Sequence, residues 1–446
     1  MPVAGAYLLY SPLRRTTALL NDKAVALLKA QIGKNGERED TPGSLQKLLQ
    51  TLRQPVQAPP PDRSGALQPM FLGFLPTRSC NQSCAYCGFG ASTAPQKQMD
   101  FQTATAAVDW MAEHVKALGR KTLEIHFFGG EPFVAREVVD VVIHRARAAA
   151  EQMGLIPRFE VSTNGVFDET RARFVGDYFD TVVLSFDGFR DIHDRHRGGF
   201  DTVKRTAEIL SGAPAELCLR VCVSQESVSQ LEPIVQWFCE VFQPSIMNVE
   251  TLQPTPESEA AKLYPPDPYD FAVHYLRASR IAAGFGIETI YASAVTESVR
   301  HSFCPVGQDT LIVAPDGRIS SCYLPQQEWQ QRGLDLDVGH VTGGTVQIDF
   351  GAISRLRQMV MDKPRCEKCF CRWTCAGGCH VNQTYPGCPL EYNDFCIQTR
   401  IITAYSLLCQ LGFEQRAETL LQDRNAMETL ALHPSDRLED WHEKDS

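Results

Sequence analysis

The chain has 446 residues, of which 43% are hydrophobic, and 43 Lys and Arg against 53 Asp and Glu give it a net charge of −10. A chain this long can bury a large core, and we expect two or three domains. The acidic balance argues against a general nucleic-acid-binding surface, and the sequence shows no export signal and no apolar run long enough for a membrane span. We therefore expect a cytoplasmic protein with no nucleic-acid or membrane partner, whose 16 cysteines serve metal binding or catalysis.

Residues 1–53 are predicted to form a small N-terminal unit. Its expected elements are strands at 6–10 and 16–20 and helices at 22–31 and 44–53. Asn21 stands where the N-cap of the first helix is expected. The proline-rich stretch 54–69 that follows is typical of a linker.

Apolar strand patterns alternate with amphipathic helical patterns through residues 70–255. The predicted strands lie at 70–76, 122–128, 158–162, 181–186, 217–223 and 246–252. The clearest helices between them lie at 102–118, 135–153 and 202–210. Strands separated by helices of this length imply right-handed crossovers and a parallel sheet. The predicted class is therefore α/β, with six strand and helix units that suit a partial (β/α)6 barrel whose chemistry lies at the carboxyl ends of the strands.

A cysteine triad follows the first of these strands. Cys80, Cys84 and Cys87 have the spacing C-x3-C-x2-C, with Tyr86 directly before the last cysteine. Cysteine thiolates hold four-iron clusters, so three thiolates in one loop leave one iron free to bind a ligand. The triad therefore indicates an iron–sulfur cluster that takes part in chemistry.

This loop resembles the signature of radical S-adenosylmethionine (SAM) enzymes, in which the open iron chelates the methionine end of SAM. The segment Gly129-Gly130-Glu131-Pro132, after the second strand, resembles the Gly-Gly-Glu-Pro motif of that family. Glycines allow close backbone approach, and a carboxylate accepts hydrogen bonds from an ammonium group. The resemblance implies that Gly129, Gly130 and Glu131 hold the SAM amino group and that Tyr86 belongs to the same site.

Polar residues at the next strand ends extend the implied SAM site. By the same resemblance, Ser185 binds the ribose, Arg197 binds the SAM carboxylate and Leu252 lies near the adenine. Asn164 and Asp187 are expected to line the same pocket, although each could equally be a turn or N-cap residue.

A second group of cysteines lies in the C-terminal half of the chain. It contains, in order, Cys304, Cys322, Cys366, Cys369, Cys375, Cys379 and Cys396. The stretch 314–319 reads as a tight hairpin turn, which predicts that Cys304 and Cys322 meet on adjacent strands. Taken alone, the four cysteines from Cys366 to Cys379 could also form a closed zinc site.

The order of these seven cysteines matches the C-terminal motif of the SPASM subfamily of radical SAM enzymes, whose members carry two auxiliary iron–sulfur clusters. The resemblance implies that the first auxiliary cluster is held by Cys304, Cys322 and Cys379. It implies that the second is held by Cys366, Cys369, Cys375 and Cys396. The first set is one ligand short, so that cluster either has an open iron or takes a fourth ligand from elsewhere in the chain.

Other cysteines are interpreted as structural. Cys371 and Cys388 are spare thiols near the second set, and either could be the missing ligand, although a small buried thiol is the ordinary interpretation. Four more lie within apolar strand or helix patterns and are predicted to be core residues: Cys218, Cys222, Cys239 and Cys409.

These features predict the domain order after the linker. A radical SAM partial barrel is expected over 70–255, a helical connection over 256–295, a SPASM domain over 296–400, and a C-terminal helix and tail over 401–446. The unit 1–53 resembles the small winged-helix element with which many peptide-modifying enzymes bind a leader peptide. An N-terminal cap on the barrel is the alternative.

The resemblance also implies the reaction. Reductive cleavage of SAM gives a 5′-deoxyadenosyl radical that takes a hydrogen atom from the substrate, and an external donor of the flavodoxin or ferredoxin type supplies the electron. Peptide substrates dominate the SPASM subfamily. We therefore expect an oxidoreductase that modifies a ribosomally made precursor peptide with a leader, by an oxidative carbon–carbon, carbon–oxygen or thioether crosslink.

Two alternatives remain open on the sequence. Sulfatase-maturing enzymes place an aspartate, a possible general base, after the cysteine that corresponds to Cys322, whereas this chain has Tyr323. That difference favours a dedicated precursor peptide over sulfatase-type oxidation of a protein side chain. The second alternative is a multi-cluster electron-transfer or zinc-binding protein that does no radical chemistry.

Overall fold

The computed structural model describes residues 1–3, 5–31, 42–56, 65–91, 94, 96–359, 366–383 and 394–432. The strands are β1 Pro2–Val3, β2 Ala6–Ser11, β3 Thr16–Leu20, β4 Leu72–Phe74, β5 Thr122–Phe127, β6 Ile156–Thr163, β7 Thr181–Ser185, β8 Glu216–Val223, β9 Ile246–Thr251, β10 Glu288–Ile290, β11 Leu311–Val313, β12 Arg318–Ser320, β13 Asp337–Thr342 and β14 Thr345–Ile348.

The helices are α1 Asp22–Gln31, α2 Gly43–Arg53, α3 Phe101–Ala117, α4 Arg136–Met153, α5 Glu169–Tyr178, α6 Arg190–His196, α7 Phe200–Ser211, α8 Leu231–Val241, α9 Pro256–Ala260, α10 Pro268–Gly284, α11 Gln326–Gln330, α12 Phe350–Met359, α13 Arg372–Cys375, α14 His380–Gln383, α15 Asp394–Gln410, α16 Glu414–Gln422 and α17 Arg424–Ala431. In the described part of the chain, no helix combines the length and apolar character that a membrane span needs.

The N-terminal unit consists of a small antiparallel sheet and two helices. Strands β1, β2 and β3 pair in that order, and α1 and α2 bury Leu28, Leu45 and Leu49 in a core of their own. The Asn21 side chain accepts a hydrogen bond from Ala24 N at 2.9 Å, as its predicted N-cap position requires. Strand β1 also packs against α17, so the unit is joined to the C-terminal helices.

A second sheet organises the rest of the chain. Its strand order is β10-β9-β8-β7-β6-β5-β4-β11-β12-β13-β14, and neighbouring strands from β4 to β10 are parallel. Strands β4 to β9 are the six predicted strands, with ends within two residues of the predicted ones. Alternate side chains bury under the crossover helices, as Leu217, Leu219 and Val221 of β8 do, and the other side chains face inward.

Two short strands change the expected domain boundaries through pairings that were not predicted. Strand β10 lies inside 256–295, where only helices were expected, and it pairs in parallel with β9. Strand β11 belongs to the cysteine-rich C-terminal region, yet it pairs in parallel with β4, from Leu311 opposite Leu72 to Val313 opposite Phe74. The C-terminal region therefore extends the barrel sheet. Three-residue strands are too short to show a period of two; the turn at 314–319 indicated a strand on each side of it, but nothing indicated β10 or the pairing of β11 with β4.

Candidate active site

A cavity of about 330 Å³ opens at the carboxyl ends of β4 to β9. The thiols of Cys80, Cys84 and Cys87 share its wall. Six other residues predicted to contact SAM also lie in the wall: Tyr86, Gly129, Gly130, Asn164, Ser185 and Arg197. The remaining three, Glu131, Asp187 and Leu252, are at most 1% exposed and lie outside the lining.

The cysteine loop is fixed by side chains next to its first cysteine. Asn81 Nδ2 donates to Val166 O at 2.7 Å, and Gln82 Nε2 donates to Gly198 O at 2.7 Å. Asn164 Nδ2 lies 2.9 Å from Asn81 Oδ1 and 3.5 Å from Cys80 Sγ. The loop is thus tied to the segments after β6 and β7, and Asn164 has the positioning role that a polar turn residue allows.

Gly129 and Gly130 allow close packing between two loops. A Cβ on Gly130 would stand 2.1 Å from Ser79 O, and one on Gly129 would stand 2.6 Å from Thr77 O. Glu131 N donates to Ser79 O at 2.9 Å. The glycines were expected to make room for a ligand; in the structure they also make room for the backbone of the cysteine loop.

The Glu131 carboxylate is buried and faces the protein interior. It accepts hydrogen bonds from Thr163 Oγ1 at 2.9 Å, Asn164 N at 2.8 Å and Phe133 N at 3.2 Å. Burial raises the pKa of Glu131 to about 7, although these donors oppose that shift. The carboxylate therefore joins the ends of β5 and β6, and its contact with the SAM amino group stays a prediction.

Asp187 lies one layer behind the cavity wall and holds several groups together. Its Oδ2 accepts from Tyr86 Oη at 2.6 Å and Arg197 Nε at 2.9 Å, and lies 3.2 Å from His196 Nδ1. Its Oδ1 accepts from Cys222 N at 3.0 Å. Burial raises the pKa of Asp187, but the Arg197 and His196 side chains outweigh burial and hold it well below its usual range. The sequence placed Asp187 in the pocket, whereas the structure makes it the anchor of two pocket residues.

Arg197 connects that anchor to the cysteine loop. Its Nη1 lies 3.9 Å from Cys84 Sγ, and its guanidinium lies 5.1 Å from the centre of the Tyr86 ring. Burial raises the pKa of Cys84 to about 11, and the Arg197 charge opposes that rise. Arg197 therefore places a positive charge beside the cysteine loop.

The cavity wall also contains charged residues that the sequence did not lead us to expect there. They are Arg220 of β8, Glu250 of β9, and Glu328 and Arg332 of the C-terminal region. Arg332 pairs with Glu328 at 3.4 Å. A charged residue inside an otherwise apolar strand, such as Arg220, was the available signal. Cys222, predicted to be a core residue, also lies in this wall because its side chain faces inward on β8.

Three C-terminal cysteines lie close together. Burial raises the pKa of Cys322 to about 12, and the neighbouring thiols of Cys379 and Cys304 add to that rise. The hairpin of β11 and β12 forms as predicted, but neither Cys304 nor Cys322 is on a strand: Cys304 lies in the loop before β11, and Cys322 follows β12. The correction arises because the paired part of the hairpin is only three residues long on each side.

The other predicted ligands lie on the segment 366–375 and on α15. Cys369 N donates to Cys366 O at 3.1 Å, and Arg400 Nη1 lies 3.7 Å from Cys369 Sγ. Cys396 is one helical turn before Arg400 on α15, so both residues are on the same face of that helix. This arrangement directs Cys396 towards the segment that carries Cys369.

Arg300 joins the two cysteine segments. Its guanidinium donates to Phe303 O and to Thr374 O, the residues directly before Cys304 and Cys375, and also to Ala292 O. Its backbone N donates to Trp373 O at 2.8 Å. Burial lowers the pKa of Arg300, and the Cys375 and Cys304 thiols oppose that effect. One cation therefore braces both segments.

The cysteines outside the predicted ligand sets differ in burial. Cys371 is buried beside Cys369, and burial, followed by Cys369, raises its pKa well above the usual value. Cys388 lies outside the described residues. Cys218 and Cys239 are buried as predicted, whereas Cys409 is half-buried. Among the residues that the structure describes, no group of three or more His, Cys, Asp or Glu side chains is arranged to hold a single metal ion.

The residues of the first loop fit an iron–sulfur cluster with an open iron. The three thiols carry no disulfide and face one cavity, which continues past the glycines Gly129 and Gly130. Three thiolates can hold three irons of a four-iron cluster and leave the fourth accessible from that cavity. The cavity also contains the cation Arg197, which suits a ligand that carries a carboxylate.

Comparisons with known proteins give the class. The family model of the Radical SAM superfamily matches residues 74–237. The chain is 22% identical over 356 residues to the cysteine-type anaerobic sulfatase-maturating enzyme of Clostridium perfringens, which covers 74% of this chain and 94% of that protein. It is 22% identical over 347 residues to the mycofactocin maturase MftC of Mycolicibacterium smegmatis, which covers 73% of this chain and 82% of that protein.

Solved structures share the fold. The structure of anSMEcpe with bound AdoMet and Cp18Cys peptide has a TM-score of 0.58 at 18% identity and covers 79% of this chain and 98% of that chain. The structure of Streptococcus suis SuiB bound to the precursor peptide SuiA has a TM-score of 0.50 at 15% identity and covers 85% of this chain and 93% of that chain. The fold and the family match together define a radical SAM enzyme, with one SAM-binding [4Fe-4S] cluster. This particular chain is related to the sulfatase-maturating enzyme, MftC and SuiB, and the alternative without radical chemistry is set aside.

Proposed function

We propose that this protein is a peptide maturase that uses a SAM-derived radical to modify a ribosomally made precursor peptide, most directly by an oxidative crosslink. The observation that carries this proposal is the lining of the cavity, which includes the cysteine triad of the barrel and Leu324, Glu328 and Val381 of the cysteine-rich region. A substrate in this cavity would therefore contact both regions. Relatives named as maturases and solved with peptides support a peptide substrate.

Each group of residues around the cysteine loop has a proposed role. Cys80, Cys84 and Cys87 would hold the cluster, which together with SAM supplies the radical that removes a substrate hydrogen atom. Arg197 would bind the SAM carboxylate, because its charge lies beside Cys84 and its orientation is fixed by Asp187. Ser185 would contact the ribose from the opposite wall. Leu252 is buried, and its neighbours Thr251 and Gln253 line the cavity where the adenine would lie.

The C-terminal cysteines would hold two auxiliary clusters as in a SPASM domain. The proximity of Cys304, Cys322 and Cys379 supports the first, and the approach of α15 to Cys369 supports the second. Auxiliary clusters beside the substrate would accept the electron that an oxidative crosslink releases, and a flavodoxin or ferredoxin would supply the electron for SAM cleavage. Zinc in these positions would not accept an electron.

The N-terminal unit would bind the leader of the precursor. It has its own small core and a β-sheet with β3 at one edge, and an extended peptide can pair with such an edge. Deletion of residues 1–53 should abolish modification of the full precursor and leave SAM cleavage intact. Unchanged turnover of the precursor would contradict leader binding by this unit.

A sulfatase-type oxidation of a protein side chain is the second candidate, and the similarity to the sulfatase-maturating enzyme favours it. The position of Tyr323 counts against it. The Tyr323 ring lies 4.8 Å from that of Phe128, and its hydroxyl would be only 2.8 Å from a Cβ at position 73, whereas the cavity wall contains the next residue, Leu324. A general base at this position would have to reach the substrate.

The decisive experiment has two stages. Anaerobically reconstituted protein should bind on the order of ten to twelve irons per chain and release 5′-deoxyadenosine with dithionite and SAM. A short peptide encoded beside the gene should then lose two hydrogens on coexpression, as seen by mass spectrometry. SAM cleavage with a peptide carrying a Cys-derived aldehyde would instead indicate the sulfatase-type reaction. Iron-replete protein that cleaves no SAM would contradict both.

A further inference from the structure

Arg220 lies in the cavity on a strand whose other face is buried. Its register partner on β7 is Ser185, which also lines the cavity, and its carbonyl accepts from Phe186 N at 3.0 Å. The backbone is therefore fixed by the sheet. The side chain is exposed although the strand is central in the sheet. Its guanidinium must project into the open space of the cavity.

Arg220 differs from the other arginines of the wall in its partners. Arg197 donates to Asp187, and Arg332 pairs with Glu328. Among the described residues, no carboxylate lies within the 4.0 Å of an ion pair with Arg220. Glu250 is the acid that interacts with it at longer range: burial raises the pKa of Glu250, and the Arg220 charge opposes that rise. The Glu250 Oε1 accepts from Ala292 N at 3.4 Å, and no hydrogen bond joins Glu250 to Arg220. Within the described part of the chain Arg220 therefore makes no direct ion pair, and water solvates its guanidinium.

A ligand that fills the cavity must remove that solvent. An arginine that loses water without gaining an anion is costly, whereas a carboxylate can accept two parallel hydrogen bonds from the guanidinium. The SAM carboxylate has a closer candidate, because Arg197 lies 3.9 Å from the cysteine that would hold the cluster. Arg220 lies on the next strand, towards Glu250 and the C-terminal part of the wall.

We infer that Arg220 binds a carboxylate of the peptide substrate, so that the residue presented to the radical lies in an acidic sequence context. This inference rests on the proposed peptide-modifying function. It defines the substrate class as a peptide with a glutamate, aspartate or C-terminal carboxylate close to the modified residue. The apolar side chains of Leu324 and Val381, which also line the cavity, are suited to the parts of the peptide without charge.

The test uses reconstituted holoenzyme with SAM bound and two pools of capped octapeptides. The pools are identical except that every member of one contains a single glutamate where the other contains glutamine. Affinity selection with mass spectrometry measures retention of each pool by wild type, R220Q, R220K and R173Q, the last being an exposed arginine on α5 that serves as the control. Equilibrium dialysis measures SAM binding by the same proteins.

Wild type and R173Q should retain the glutamate pool about tenfold more than the glutamine pool, which corresponds to about 1.4 kcal/mol. R220Q should lose this preference, R220K should keep a weaker one, and SAM affinity should change less than about twofold in all variants. Equal retention of the two pools by wild type, or no retention of either, would overturn the inference. A loss of SAM affinity in R220Q with an unchanged pool preference would assign Arg220 to the SAM carboxylate and also overturn it.

The result is separable from the proposed function. Wild-type protein that releases 5′-deoxyadenosine but shows no glutamate preference contradicts only the assignment of Arg220. Wild-type protein that contains iron and cleaves no SAM contradicts the proposed function itself. The visible absorption of the cluster in each variant shows whether R220Q has folded and reconstituted, and R220K preserves the charge if the neutral variant does not.

Discussion

The two halves of the candidate site are held in different ways. On the barrel side, strand ends supply direct side-chain hydrogen bonds, and the buried carboxylates of Asp187 and Glu131 each accept from three or more groups. On the C-terminal side, most of the cysteines lie on loops, turns and short helices; Arg300 donates to the backbone carbonyls next to Cys304 and Cys375, and Arg400 links Leu430 O of α17 to Cys369. The first half is preorganised by the fold, whereas the second half depends more on the groups that its cysteines bind.

Removal of one cysteine from each half should give the largest contrast. C84A should reduce 5′-deoxyadenosine formation at least about a thousandfold, because two thiolates cannot keep the cluster in its cavity. C379A should keep SAM cleavage within about tenfold of wild type and lose modification of the precursor peptide. Both are measured by chromatography of the nucleoside and mass spectrometry of the peptide. Equal loss of SAM cleavage in the two variants would show that the halves do not act separately.

Replacement of Asp187, which holds Tyr86 and Arg197 on the barrel side, should cause the largest loss of stability. D187N leaves the Arg197 guanidinium without its carboxylate, and removal of one partner from a buried pair costs about 3–5 kcal/mol. Thermal unfolding of the holoprotein should show this as a lower Tm together with weaker SAM binding. D201N, which removes an exposed partner of Arg190, should leave the Tm close to that of wild type, because solvent screens an exposed ion pair. Similar Tm values for D187N and D201N would contradict the anchor role.

The corresponding change in the C-terminal half is R300Q. Loss of its donors to Phe303 O and Thr374 O should cost about 2–3 kcal/mol, because hydrogen bonds that involve a charged group are stronger than neutral ones. The variant should lose the iron that the two auxiliary clusters would contain, while SAM cleavage persists. R277Q, on the exposed face of α10, is the matched control. A full iron complement in R300Q would show that the cysteine segments need no brace.

The buried Glu131 carboxylate should make its own contribution to the pH dependence of stability. Burial raises its folded pKa to about 7, above the unfolded value near 4.5, so the unfolded chain releases this proton first as the pH rises. Stability from this group is present below about pH 4.5 and is lost as the pH rises through about 7, by about 2 kcal/mol between pH 5.5 and 7.5. E131Q should be less stable overall and lack that component. Parallel Tm profiles of wild type and E131Q would contradict the assignment.

Local patterns were sufficient to predict the barrel strands and the cysteine loop. Strands such as Thr122–Phe127 alternate apolar and polar residues with a period of two, which is visible in the sequence alone, and C-x3-C-x2-C is a short-range spacing. The predicted residues that reach the cavity are those whose position follows directly from a strand end, such as Ser185. These are features that depend on neighbours in sequence.

Features that depend on distant pairing could not be predicted. The parallel pairing of β11 with β4 joins segments far apart in the chain, and nothing in Leu311–Val313 identifies its partner. Asp187 was expected in the pocket by resemblance to the family, with a turn or N-cap role as the equal alternative; its neighbours in the structure, Arg197 and His196, come from the C-cap and the last residue of α6. Burial of a carboxylate can be recognised only when those groups are in place.

The pairing of β11 with β4 also has a mechanical consequence. Domains that close around a substrate usually turn about a hinge with few contacts, or slide along packed helices. Here the sheet is continuous across the boundary, and a rotation of the cysteine-rich region would have to break the ladder between Leu72–Phe74 and Leu311–Val313. The spacing between the cysteine loop and the C-terminal cysteines is thus set by strand register, and the proposed peptide substrate would have to enter by movement of loops and not of whole domains.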